Sequence, residues 1–87
     1  MKNFIYCFYN KLSRRYGDVM CYPSDEYASA QIARIASNPQ SNLDFVNELE
    51  LCKVASIDID SGAITPVAPV RVEVKSPKHI EEVASEA

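Results

Sequence analysis

The stretch Phe4-Ile5-Tyr6-Cys7-Phe8-Tyr9 decides the fold of this 87-residue chain. Aromatic and β-branched residues favour a pleated strand, and Asn3 and Asn10 bound the run, so the sequence predicts a first strand over residues 3–10. Because side chains alternate along a strand, each face of this strand receives three apolar residues. One face carries Phe4, Tyr6 and Phe8, and the other carries Ile5, Cys7 and Tyr9.

The residues after this strand predict a hairpin and then a helix. Residues 11–15 are mostly polar, apolar character returns over residues 18–22, and Gly17 is expected near the turn. Ser24 offers an N-cap oxygen, which predicts a helix from about Asp25 to Ser37. Its apolar stripe is expected to contain Ala28, Ile32, Ile35 and Ala36, with Ser29 and Gln31 off the stripe.

The second half of the chain predicts a second hairpin. Residues 38–42 break the helix, because Pro39 disfavours a helical Asn38 and supplies no N–H donor. Phe45 is expected to tuck under the sheet edge. Residues 49–59 then alternate in the manner of a strand, and Gly62 suits a short loop that requires a positive φ.

The strand that returns from this loop contains Pro66 and Pro69, which favour an edge position. Alternation from Val70 to Val74 indicates that only one of its faces is buried. Asp58 and Asp60 share a strand face just before the loop; a cation site is one interpretation, and capping of the hairpin by the two carboxylates is favoured.

The element order predicts an α+β fold of ββαββ type, with a mainly antiparallel sheet of about four strands and one helix packed on one face. Residues 1–75 form this single domain, and residues 76–87 are expected to form a mobile acidic C-terminal tail or a short frayed helix. One helix leaves the second face of the sheet uncovered. Self-association or a ligand with flat surfaces would cover it. We expect Phe4, Tyr6 and Phe8 to lie in the core or at an interface between copies.

Composition excludes several classes of protein. The formal charge of −3 excludes a globally basic protein that coats phosphates, and two Gly leave no room for a glycine-rich phosphate loop. A single His and the absence of a Cys-x-x-Cys motif predict neither a metal nor a cofactor. Because that His79 lies in the expected tail, we predict no catalytic residue and no enzyme.

The cysteines and the hydropathy pattern predict a cytoplasmic protein. No stretch approaches the roughly 18 apolar residues of a membrane span, and no secretory signal is recognised. In that compartment Cys7, Cys21 and Cys52 are expected to stay reduced. Cys7 faces Cys21 if the hairpin is centred on Arg14, and the two separate if a bulge at Gly17 moves the centre towards Tyr16.

The densest positive cluster consists of Lys11, Arg14 and Arg15, with Tyr9 and Tyr16 nearby. Residues 1–34 carry five positive and three negative groups, a charge of +2, whereas residues 35–87 carry four and nine, a charge of −5. Guanidinium groups bind phosphates and tyrosine rings stack on unpaired bases, so the five residues are candidates for binding single-stranded nucleic acid. The alternative interpretation is a solubilising turn.

The chain also resembles a known family. Leu51-Cys-Lys-Val-Ala-Ser-Ile-Asp-Ile-Asp-Ser-Gly62-Ala-Ile64 is similar to the Leu-x-x-(Ile/Val)-Gly-x-(Phe/Tyr)-Asp-x-x-(Thr/Ser)-Gly-x-(Ile/Phe) segment of the small nonstructural proteins of gokushoviruses, single-stranded DNA bacteriophages of the microvirus group. The aromatic first strand, Tyr16, Pro23 and a helix closing at Asn38-Pro39 resemble that family in order and spacing. The likeness covers roughly residues 4–66. Ala55 stands where the pattern has Gly, and Ala30 where many members carry a basic residue.

The resemblance implies a non-enzymatic accessory protein in the host cytoplasm. It would bind single-stranded DNA or the replication complex and assist viral DNA synthesis and genome packaging. The resemblance implies single-stranded DNA and viral replication or packaging proteins as partners. The uncovered sheet face predicts further copies of the chain as partners, and the lack of a long apolar stretch predicts no membrane contact. The alternative is a protein-interaction module that binds itself, a host protein or a viral protein without touching nucleic acid.

Overall fold

The computed structural model describes residues 1–45 and 47–74. Its elements are β1 (Lys2–Asn10), β2 (Arg15–Tyr22), α1 (Asp25–Ala36), β3 (Leu49–Asp58) and β4 (Ile64–Val72). The strands form one antiparallel sheet in the order β2-β1-β3-β4, with β2 and β4 at its edges. The predicted α+β fold of ββαββ type is confirmed. The predicted tail over residues 76–87 lies outside the described residues.

The core lies between α1 and one face of the sheet. Its buried members are Tyr6, Phe8, Leu51 and Val72 from the strands and Ala28 and Ile32 from the helix. Tyr6 is fully buried and Phe8 is 9% exposed, while Phe4 packs against them at the margin. The prediction of an interface at Phe4, Tyr6 and Phe8 is therefore corrected: α1 of the same chain covers these side chains, and they are core residues.

α1 begins at the predicted residue, but the face that it buries is rotated about the helix axis relative to the predicted apolar stripe. The Ser24 hydroxyl accepts a hydrogen bond from the Tyr27 N–H at 3.1 Å, which confirms the N-cap. Ser29 is buried rather than off the stripe, because its hydroxyl donates to the Glu73 carbonyl at 2.7 Å and so satisfies its polar group. Ile35 falls on the far edge of the rotated stripe and is 49% exposed. In the described part of the chain, no helix is long and apolar enough to cross a membrane.

The loops differ from the prediction at one glycine. The first hairpin turns over residues 11–14 with Arg14 at φ 59°, whereas Gly17 lies inside β2. Gly62 has φ 79°, as the second hairpin requires. Phe45 packs edge-on against Phe8 with ring centroids 5.5 Å apart, in agreement with its predicted position under the sheet edge. β4 ends at Val72, two residues before the end of the predicted alternation.

Candidate functional site

The second face of the sheet, opposite α1, is the candidate functional surface, and we call it the open face. In the described residues no helix or strand lies on it. Because directly paired residues of neighbouring strands share a face, the strand register shows which side chains the open face carries. Its members form four rows: Tyr16, Tyr9 and Glu50; Val19, Cys7, Cys52 and Arg71; Cys21, Ile5, Ala55 and Pro66; and Asn3, Ile57 and Ile64.

The first row, which we call the aromatic row, lies next to the turn of the first hairpin. Tyr9 pairs with Tyr16 across β1 and β2, and their ring centroids are 4.8 Å apart with the planes inclined by 47°. Tyr16 is 53% exposed. Because the two planes are inclined, a flat ligand stacks on one ring at a time, and neighbouring bases can use the two rings in turn.

A β-bulge in β2 keeps a carboxylate off the open face next to the tyrosines. Phe8 pairs with Gly17 and Cys7 pairs with Val19, so Asp18 is the extra residue, and it has φ 44°. Without the bulge, strict alternation would place Asp18 on the open face behind Tyr16. The bulge instead moves this carboxylate out of the ladder and puts Val19 in its place.

A second β-bulge, in β3, also changes which residues lie on the open face. Cys52 pairs with Cys7 and Ala55 pairs with Ile5, although the two β3 residues are three positions apart. The extra residue is Val54, since Tyr6 pairs with Lys53. A bulge interrupts the alternation of side chains along a strand. The alternation in the sequence therefore does not predict that Cys52 and Ala55 share the open face.

The fold brings only part of the basic cluster, which consists of Lys11, Arg14 and Arg15, to the side of the sheet that carries Tyr9 and Tyr16. Asn10 organises the turn, because its side-chain oxygen accepts hydrogen bonds from the N–H groups of Leu12 and Ser13 at 2.9 and 3.0 Å. Arg14 is exposed in the turn itself, and Lys11 opens the turn with its N–H bonded to the Glu48 carbonyl at 2.7 Å. Arg15 pairs with Asn10, one position from the Tyr9 and Tyr16 pair, so it leaves the edge strand towards the helix side.

Two charged residues that the sequence analysis missed border the aromatic row. Glu50 pairs with Tyr9 and places a carboxylate beside the rings. Arg71 pairs with Cys52 at the β4 edge and is exposed. Their positions depend on strand order and register, which the alternation of a single strand does not reveal. Glu50 therefore repels an anion from the β3 side of Tyr9 and the basic turn attracts it, while Arg71, in the next row on β4, partly offsets the charge of Glu50.

Three groups of the open face, Tyr16, Cys7 and Cys52, have raised pKa values. Desolvation raises the pKa of Tyr16, and the charges of Cys52, Tyr9, Cys7 and Glu50 raise it further. Burial likewise raises the pKa of the Cys7 and Cys52 thiols. All three cysteines are free, and Cys7 faces Val19 rather than Cys21. Buried thiols with raised pKa values are poor nucleophiles.

Of the two carboxylates predicted to cap the second hairpin, Asp58 does so and Asp60 does not. One side-chain oxygen of Asp58 accepts hydrogen bonds from the N–H groups of Asp60 and Ser61 at 2.9 and 3.4 Å, as expected of a hairpin cap. Asp60 pairs with the terminal amine of Met1 at 3.1 Å, where both groups are exposed. Among the described residues, no cluster of three or more His, Cys, Asp or Glu is arranged to hold a metal ion.

Comparisons of the chain with protein-family models, with curated proteins and with solved structures found no match. A fold of this kind supports many unrelated functions, so the function has to follow from the side chains of a particular surface. The open face is that surface, because it combines a paired aromatic row, an adjacent basic turn and three rows of mainly apolar residues.

Proposed function

We propose that this protein binds single-stranded DNA through the aromatic row and the adjacent turn, and that it acts without catalysis as an accessory factor in DNA synthesis and packaging. The Tyr9 and Tyr16 pair, with rings 4.8 Å apart next to the turn that contains Arg14, is the observation that carries the proposal. Stacking on exposed rings requires bases that are not already stacked in a duplex, which favours single strands. The resemblance to the nonstructural proteins of gokushoviruses also supports single-stranded DNA as the ligand.

The charge distribution sets the path of the strand and limits its affinity. Arg14 and Lys11 attract phosphates at the turn, and Arg15 adds a cation at the β2 edge, whereas Glu50 repels phosphates from the β3 side of Tyr9. The strand therefore crosses the tyrosines with its phosphates towards the turn. Because the whole chain carries −3, long-range attraction adds little, and we expect modest affinity that falls as salt rises.

The first test measures the fluorescence anisotropy of a labelled thymidine oligonucleotide at several salt concentrations. Replacing Arg14 and Arg15 by Ala should weaken binding and lower the salt slope by about 0.7 for each phosphate that the protein no longer neutralises. Arg34→Ala is the matched control, because it also removes an exposed arginine but lies in the last turn of α1, on the other side of the sheet. Absence of binding at high micromolar protein, or an equal weakening in the control, would overturn the proposal.

The second test separates stacking from charge at Tyr16. Removal of a stacking ring costs about 1 to 3 kcal/mol per base, so Tyr16→Ala should weaken binding about fivefold or more. Tyr16→Phe keeps the ring and should bind as the unmodified protein does. Tyr27→Ala is the control, since Tyr27 is exposed to a similar degree on α1. Equal affinities for the Tyr16→Ala protein and the unmodified protein would rule out the aromatic row as the binding surface.

The apolar rows of the open face favour a second candidate function. Val19 and Ile64, on the two edge strands of this face, are 73% and 58% exposed, and exposed apolar side chains on one face are a feature of surfaces that bind protein. On this alternative the protein is an interaction module that binds itself, a host protein or a viral protein without nucleic acid. The anisotropy titration discriminates between the two, because an interaction module of this kind leaves the oligonucleotide free at every salt concentration.

A further inference from the structure

A cleft of about 230 Å³ lies beside the turn of the first hairpin, on the α1 side of the sheet, and we call it the β2 cleft. Its lining includes Phe8, Arg15, Gly17, Asp18, Leu43 and Leu49. We infer that this cleft binds one unpaired guanine base of the single strand, with the Asp18 carboxylate as the acceptor for the Watson–Crick edge of that base. The inference rests on the proposed function, because the base belongs to the strand that the aromatic row and the turn would hold.

The floor of the β2 cleft is apolar. Phe8 belongs to the core, and Leu43 and Leu49 pack against it. Pockets for drug-sized ligands measure roughly 300 to 1,000 Å³, so this smaller cleft suits a single planar ring system. A nucleobase has that shape, because its faces pack on aromatic or apolar side chains while its edge forms hydrogen bonds.

Gly17 keeps the β2 cleft open. It pairs with Phe8, so a side chain at this position would project on the α1 side, and a Cβ there would meet nothing within 4 Å. The backbone does not require glycine here, since Gly17 has no positive φ. Glycine inside a strand weakens the strand and often marks a place where a ligand comes close to the backbone. Space for a ligand therefore accounts for a glycine that the strand itself does not need.

Asp18 supplies the hydrogen-bonding group. The bulge, with Asp18 at φ 44°, takes its carboxylate off the open face and into the lining of the β2 cleft. Within residues 1–45 and 47–74, no hydrogen bond or ion pair engages this exposed carboxylate. A left-handed backbone is unfavourable for a residue with a side chain, and residues strained in this way cluster at ligand-binding sites.

A carboxylate distinguishes guanine from the other bases of DNA. An ionised carboxylate only accepts hydrogen bonds, through two oxygens. The Watson–Crick edge of guanine presents two adjacent donors, the N1–H and the 2-amino group, which match those oxygens. Adenine and cytosine present one amino donor beside a ring-nitrogen acceptor, and thymine presents one N–H between two carbonyls. Guanine is therefore the base that Asp18 should select.

Arg15 connects the β2 cleft to the aromatic row. Arg15 and Gly17 lie on the α1 side of β2, and Tyr16 between them carries its ring on the open face. A strand that passes round this edge of the sheet can stack one base on Tyr16 and place the next base in the cleft. The Arg15 guanidinium then meets the phosphate between the two bases, to which it can donate two hydrogen bonds.

The test compares a labelled thymidine oligonucleotide with the same oligonucleotide carrying one central guanine, by fluorescence anisotropy. The unmodified protein should bind the guanine-containing strand about fivefold or more tightly, as a two-bond contact to a base implies. Asp18→Asn replaces one acceptor oxygen by a donor and should abolish this preference, while Asn tolerates the left-handed backbone. Glu26→Gln is the matched control, because it removes an exposed carboxylate from α1 and should leave the preference intact.

A second variant, Gly17→Val, fills the β2 cleft without touching Asp18. Because a Cβ at this position meets nothing within 4 Å, the protein should stay folded, which circular dichroism checks. This variant should bind the thymidine strand as the unmodified protein does and lose the preference for guanine.

The outcomes separate this inference from the proposed function. Equal affinities of the unmodified protein for the two strands would overturn the guanine site and leave DNA binding in place. A preference that survives in both Asp18→Asn and Gly17→Val would also overturn it. Absence of binding to either strand would overturn the proposed function and, with it, the guanine site.

Discussion

At the scale of single residues, Asp25 links the helix to the sheet. One of its carboxylate oxygens accepts a hydrogen bond from the Tyr6 hydroxyl at 2.7 Å, and the other pairs with the Lys53 ammonium at 3.1 Å. The same ammonium lies 4.9 Å from the centre of the Phe4 ring. The fully buried Tyr6 thus has a partner for its hydroxyl, as a buried polar group requires.

Removal of that hydroxyl should destabilise the protein. Tyr6→Phe loses a hydrogen bond to a charged acceptor, and we expect the free energy of unfolding to fall by about 1 to 2 kcal/mol. Urea denaturation followed by circular dichroism measures the change. Tyr27→Phe serves as the control, because Tyr27 is 47% exposed, and its effect should stay within about 0.5 kcal/mol.

Asp25 should also contribute to the pH dependence of stability. The hydrogen bond from Tyr6 and the contact with Lys53 hold the pKa of Asp25 below its usual 3.8, against the opposing effect of desolvation. The unfolded chain therefore takes up the proton first, so the stabilisation is present above pH 3.8 and is lost as the pH falls through the lower pKa of the folded state. In urea denaturation, the stability difference between the unmodified protein and Asp25→Asn should shrink on acidification; a constant difference contradicts this assignment.

Removal of the Glu50 charge should increase the affinity of the proposed site for DNA. Its carboxylate neighbours Tyr9 and repels phosphates, so Glu50→Gln should tighten oligonucleotide binding, most clearly at low salt. Glu26→Gln, on the exposed side of α1, changes the net charge equally and should have little effect. The anisotropy titration measures both. Equal affinities for the two variants would mean that Glu50 lies away from the bound strand.

At the scale of the elements, the two glycines make opposite contributions. Gly62 has φ 79° in the loop between β3 and β4, and Ala there should cost about 1 kcal/mol of stability. Gly17 lies within β2 without a positive φ, and a Cβ at that position would meet nothing within 4 Å. Gly17→Ala should therefore be neutral or stabilise by up to about 0.5 kcal/mol. Thermal unfolding of the two variants compares them directly.

The elements themselves were predictable from local chemistry, whereas their register was not. The aromatic run of β1, the Ser24 cap and Gly62 each express a local preference that survives in the fold. The bulges at Asp18 and Val54 depend on which strands become neighbours, and so does the rotation of the α1 stripe towards Ser29. Contacts of this kind connect residues that are distant in sequence, and a periodic pattern does not encode them.

At the scale of the whole molecule, residues 1–45 and 47–74 form a sheet with α1 on one side and no helix or strand of that part of the chain on the other. The position of α1 on a single face was predictable, since one helix cannot cover both faces of the aromatic β1 strand. The sequence also indicated Tyr9 and Tyr16 as neighbours of the basic turn, and they form the aromatic row. It did not indicate Glu50 or Arg71, because strand order alone brings them there.

The most direct test of DNA binding by the open face is a titration of the isotope-labelled protein with a thymidine oligonucleotide, followed by amide chemical shifts in two-dimensional NMR. The largest changes should fall at Tyr9, Tyr16 and residues 11–14, and the shifts should reverse as salt is added. Amides of α1, on the other side of the sheet, should stay unchanged. Changes confined to α1, or no changes at high micromolar oligonucleotide, would contradict the account.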